Sequence, residues 1–195
     1  MKFLFVFILI LPSLAVAQSD LLVFFTGTDL APEYPTEVFT SIPFEWITIH
    51  LGILNPSLGG VSGWECDTWT EGLALAPLWS IPSCGIIPEC SMPPFQIDIG
   101  FDPNSLEPSS AGLVYLGSWT AGIPFPTEVV SFHIGPVPGS VSFPDSPGYA
   151  GPTPESGLAS LTTIQGGASI PVFSINQETV EQNNASWSAV KALYR

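Results

Sequence analysis

The chain has 195 residues, with three Lys and Arg, seventeen Asp and Glu and two His, for a formal net charge of −14. So few cations cannot neutralise a row of phosphates, which excludes nucleic-acid binding and docking on anionic lipid. Hydrophobic residues make up 46% and charged residues only 10%, too apolar for intrinsic disorder, while 21 Pro and 18 Gly break the chain into short pieces and leave little room for helix interiors.

The first element is a leader. Lys2, the apolar run Phe3–Leu11 and the small-residue motif Ala15-Val16-Ala17 have the order of a secretory signal peptide. We expect residues 1–17 to be removed, a β-sandwich domain over 18–182 and a tail over 183–195. No later run approaches the roughly 18 apolar residues of a membrane-spanning helix.

Strand-like runs follow in chain order at Leu21–Thr26, Glu45–Leu54, Gly60–Thr70, Leu73–Ser80, Phe95–Phe101, Gly112–Thr120 and Glu128–Ile134. Weaker ones lie at Leu158–Ile164 and Ile170–Ile175. Short alternating runs bounded by Gly, Pro, Ser and Asn predict an all-β chain, a single antiparallel β-sandwich. Ile47, Ile49 and Leu51 alternate with Trp46, Thr48 and His50, so the aliphatics take the core face. Glu71-Gly72 reads as a tight hairpin turn, and Pro77 makes its second arm an edge strand. Gly135–Thr153, dense in Pro and Gly, is expected to be a long surface loop or edge crossing. At the C-terminus, Trp187, Val190 and Tyr194 fall on one face of a short helix. Ser186 or Asn184 is placed to cap it, and Lys191 and Arg195 lie where the helix dipole favours cations.

The tail, residues 187–195, resembles the motif Trp-x-x-(Ile/Val)-Lys-x-(Leu/Met)-(Tyr/Phe)-Arg carried by a group of uncharacterised secreted proteins of environmental bacteria. The segments 60–66, 94–100 and 171–176 are similar to that group as well. The resemblance implies a secreted sandwich of cohesin-like or immunoglobulin-like form, and it implies no particular activity.

Cys66, Cys84 and Cys90 are an odd number of cysteines for an oxidising compartment. With a hairpin tip at Glu71-Gly72, Cys66 lies opposite Pro77, and Cys84 is about 23 Å further along an extended chain. This favours a Cys84–Cys90 disulfide closing the Pro-rich loop, with Cys66 buried as a small hydrophobe. Cys66–Cys90 is the rival pairing. A catalytic Cys would need cations to lower its pKa, which this chain hardly offers. The two strand histidines, His50 and His133, would serve a metal or a base only if they met across a sheet. The chain has no Gly-x-Ser-x-Gly elbow and no phosphate-binding Gly loop followed by a helix, and we assign no catalytic residues.

Three binding sites are candidates. Asp98, Asp102, Asn104 and Glu107 are oxygen ligands close in sequence, the type that holds calcium, at a spacing unlike an EF-hand. Trp69 shares a strand face with Glu65 and Asp67, a pairing suited to stacking on a sugar and bonding its hydroxyls. The tail presents Trp187, Val190 and Tyr194 as apolar anchors, with Lys191 and Arg195 for charge complementarity. The expectation is a secreted or cell-surface, non-enzymatic binding or structural module. Its partner, a protein or the surface and secretion machinery, would be engaged through the tail. A carbohydrate-binding module is the alternative, and a small secreted hydrolase the third.

Overall fold

The computed structural model describes residues 19–84 and 92–177. The leader, Cys90 with its proposed bond to Cys84, and the tail with its expected helix lie outside the described residues.

Two sheets pack face to face. The first has the order β12 (Thr162–Thr163), β1 (Leu21–Thr28), β4 (Glu45–Leu54), β8 (Leu113–Ile123) and β6 (Leu75–Ser80), with β2 (Ala31–Glu33) folded back on β1. The second runs β11 (Leu158–Ser160), β10 (Gly148–Ala150), β5 (Gly63–Glu71), β9 (Val130–Gly135), β13 (Phe173–Ile175) and β3 (Glu37–Val38), and β7 (Phe95–Asp98) also pairs with β5. Neighbours are antiparallel except β1 with β12 and β13 with β3. The fold is therefore an all-β sandwich, and among the described residues the helical content is single 3-10 turns such as Pro82–Cys84 and Pro154–Ser156.

Period-two patterning explains which faces close on each other. Ile49, Leu51 and Ile53 of β4, Leu116, Trp119 and Ala121 of β8, Trp64 and Cys66 of β5, and Phe132 and Ile134 of β9 fill the space between the sheets. Trp119 meets Phe132 edge-on at 4.8 Å between ring centroids, a geometry that aromatic quadrupoles favour. In β1 five consecutive residues, Leu21 to Phe25, are buried. Leu22 and Phe24 enter the main core, while Leu21, Val23 and Phe25 join Leu113 in a second cluster on the opposite face, packed by Tyr34, Leu54 and Tyr115. The fold-back of β2 onto β1 delivers Tyr34 and makes that second cluster possible.

Two expectations are corrected here. Glu71-Gly72 does not turn a hairpin. β5 belongs to the second sheet and β6 to the first, where it pairs with β8, so the connection is an arch from one sheet to the other. Gly72 has φ +104 and stands against the Val129 carbonyl, and the Leu73 N–H donates to Glu128 at 2.9 Å. The distance argument between Cys66 and Cys84 loses its premise with that hairpin. The edge position of β6 stands, with a register shift around Ala76-Pro77 where the proline has no donor.

The stretch Gly135–Thr153 is not all surface loop. It contains β10, whose Tyr149 is fully buried against Trp64. The Tyr149 hydroxyl donates to Asp20 at 2.6 Å and accepts the Leu58 N–H at 3.1 Å, tying the chain entering β1 to the second sheet. Three residues are too few to show a period, so the surrounding prolines hid this strand. β2 and β3 escaped notice for the same reason.

Candidate functional site

β5 displays its side chains as the alternation requires. Trp64, Cys66 and Thr68 point into the sandwich, while Glu65, Asp67 and Trp69 lie on the outer face, only partly buried. Trp69 is directly opposite His133 of β9, and the two rings stack at 5.3 Å with 5° between their planes. Glu71 Oε1 lies 3.8 Å from His133 Nε2. The Glu65 carboxylate accepts the Ser140 hydroxyl and, at 3.4 Å, the Gln96 side-chain amide. Burial pushes the Asp67 carboxyl up, partly offset by the Thr68 N–H. One face of the Trp69 indole is thus committed to His133.

The four residues considered for calcium are divided. Ser105 donates to Asp102 at 2.5 Å and to Glu107 at 3.3 Å, so one hydroxyl bridges these two carboxylates. Asp98 is held in the β7–β5 ladder opposite Gly63, and the Asn104 N–H closes a turn onto Phe101. Among the described residues no group of three His, Cys, Asp or Glu side chains could hold a metal ion.

The two histidines face away from each other. His50 is on the outer face of the first sheet, packed between Phe25 at 5.1 Å and Tyr115 at 5.6 Å, and desolvation lowers its pKa. His133 is on the outer face of the second sheet, so the whole core separates the pair. Cys66 is free and fully buried. Desolvation, then the nearby Asp67 and Glu65 charges, push its thiol far above the ordinary range, which leaves it a packing group.

A different surface was not singled out from the sequence. On the outer face of the first sheet, Trp46 of β4, Gly122 of β8 and Leu75 of β6 form one row, and Thr48, Thr120 and Leu78 form the next. The Trp46 indole passes over Gly122, within 3.7 Å of where a Cβ there would sit. The Thr48 and Thr120 hydroxyls bond each other at 2.8 Å. Just before β4 and just after β8, Phe44 and Phe125 pair with their rings 6.3 Å apart. Trp46 is 63% exposed, Leu78 64%, Phe44 61% and Phe125 53%. The signal for Trp46 was present: it shares the outward phase of His50 in the same strand. Its neighbours come from strands brought together only by folding.

Among the described residues no helix is long and apolar enough to cross a membrane. Comparison with protein-family models, curated proteins and solved structures finds no match to this chain.

Proposed function

We propose that the chain is a secreted, non-enzymatic binding or structural module acting outside the cell or at its surface, built on a sandwich of cohesin-like or immunoglobulin-like kind. The observation that carries this reading is the exposed outer face where Trp46, Leu75 and Leu78 lie side by side across β4, β8 and β6, together with the exposed Phe44–Phe125 pair. Soluble proteins leave so much clustered aromatic surface open where they bind something. The tail supplies a second recognition element in Trp187, Val190, Lys191, Tyr194 and Arg195, directed at a protein partner or the surface and secretion machinery.

Export of the full chain from a bacterial host, followed by fractionation, tests the reading. The protein is expected outside the cytoplasm, and deletion of Asn184–Arg195 is expected to reduce its surface retention at least tenfold. Retention and assembly unchanged by that deletion would overturn the reading.

The shared outer face of Glu65, Asp67 and Trp69 supports carbohydrate binding as the second reading. A glycan array distinguishes the two. Binding to a neutral glycan that is lost in Trp69→Ala would favour the sugar site, and no glycan bound would dismiss it.

A further inference from the structure

On the second sheet, four backbones run side by side. Pairing aligns Leu158 of β11, Ala150 of β10, Gly63 of β5 and Asp98 of β7 in one row, and Ser160, Gly148, Glu65 and Gln96 in the next. Cross-strand partners share a face, and Glu65 is on the outer one, so both rows face outward. Gly63 and Ala150 leave a trough between Leu158 and Asp98. β9 ends opposite Asp67, while β10 lies along the other edge of β5, so residues 136–147 cross this outer face. Ser140 fixes the crossing. Its hydroxyl donates to Glu65 and accepts the Phe143 N–H at 3.0 Å, and the Phe143 ring lies on Gly148. Ser142 and Phe143 thereby wall one side of a groove of about 270 Å³.

We infer that this groove binds a single neutral sugar ring, held by Glu65, Gln96, Asp98 and Ser142, with Leu158 against its C–H face. This goes beyond the carbohydrate reading placed on Trp69, because the 136–147 crossing separates the two positions.

The first argument is size. Cavities for drug-sized ligands run from roughly 300 to 1,000 Å³, so this one suits one ring and not an extended chain. The second is hydrogen-bond character. The Gln96 amide and the Ser142 hydroxyl both donate and accept, whereas Glu65 and Asp98 only accept. Gln96 Nε2 gives one hydrogen to Glu65 at 3.4 Å, and its second hydrogen and its oxygen can serve a ligand. A sugar hydroxyl, which donates and accepts, matches this mixed wall. An ammonium group only donates and has nothing to offer the amide hydrogen. Leu158, 59% exposed, adds the apolar surface that the C–H face of a pyranose needs. The third is charge. Two carboxylates in the wall and a formal net charge of −14 repel uronic and sulfated sugars. The fourth is preorganisation. Glu65 is held by Ser140 and Gln96 before any ligand arrives, so little ordering remains to oppose binding.

Saturation-transfer NMR on the exported full chain tests the site. The probes are the methyl glycosides of glucose, galactose, mannose and N-acetylglucosamine, with glucuronate and ethylammonium as charged controls. We expect saturation of at least one neutral glycoside and of neither control. Gln96→Ala and Asp98→Ala should each weaken that binding on the order of tenfold. Both side chains are exposed, so these variants retain the fold, which circular dichroism verifies. Trp69→Ala should leave the affinity unchanged.

Saturation of no neutral glycoside, preference for either charged control, or an affinity that neither Gln96→Ala nor Asp98→Ala alters would overturn the inference. Binding lost in Trp69→Ala and kept in the two groove variants would also overturn it, and would leave the Trp69 reading standing. Failure here is separable from failure of the proposed function, because the retention assay reads the tail and not this groove.

Discussion

Tyr149 and Asp20 show how much one buried hydroxyl can organise. Burial opposes ionisation of Asp20. The Ser57 N–H, then hydroxyl groups of Tyr149, Ser57 and Ser19, outweigh that and hold its carboxyl below the ordinary value. Because the folded value lies below the unfolded one, the stabilisation is present above the unfolded pKa of about 3.9 and is lost as pH falls through the folded value. Replacing Tyr149 with Phe leaves the Leu58 N–H and an Asp20 oxygen without this partner. It should cost about 1–3 kcal/mol at pH 7, and less at pH 3, as measured by urea unfolding. His50 works in the opposite direction. Its folded pKa is depressed by burial, so stability is present above the unfolded value near 6.5 and declines as pH falls below it. Its Nδ1 is buried without a hydrogen-bond partner among the described residues. His50→Phe keeps the aromatic packing and should flatten the decline in stability below pH 6.5, raising the unfolding midpoint there. A midpoint that follows the same pH curve as the parent would contradict this account.

At the scale of elements, the arch at Gly72 is the decisive connection. It carries the chain from the second sheet to the first, where a hairpin would have kept β5 and β6 together. Gly72→Ala should cost about 1–3 kcal/mol for the positive φ alone, and more because the new Cβ meets the Val129 carbonyl. Gly139, with φ +80 and nothing within 4 Å, supplies the control: Gly139→Ala should lose only the backbone component, and thermal unfolding should rank the two accordingly. Glu45–Leu54 was legible as a strand, because the alternation of aliphatics from Trp46 to Leu51 leaves little ambiguity. The Glu71-Gly72 turn was misread because a two-residue turn specifies a reversal and not which strand receives it. β10 was missed because its evidence lies in Tyr149 meeting Trp64, a pairing distant in sequence. For the candidate site, the outward phase of Glu65, Asp67 and Trp69 followed from parity. The stacking of Trp69 on His133 did not, since it depends on β9 being the partner of β5.

For the whole molecule, charge is the organising asymmetry. Among the described residues no Lys or Arg occurs, so the sandwich is held by apolar burial, backbone ladders and carboxylates that accept N–H and O–H groups. Ser41 donates to Glu45, Leu73 to Glu128 and Ser57 to Asp20. The exported chain, even fully denatured, should be cut by trypsin only after Lys191; mass spectrometry showing an internal tryptic fragment would refute this. The sequence by itself determined the sign and distribution of charge, the all-β class and the inward or outward phase of the long strands, because each depends on composition or on a period of two. Only the tertiary structure decided which strands share a sheet, that Tyr149 is buried, that the histidines lie on opposite faces, and that Trp46, Leu75 and Leu78 share one exposed outer face. Those properties depend on contacts between residues far apart in the chain, which local spacing does not encode.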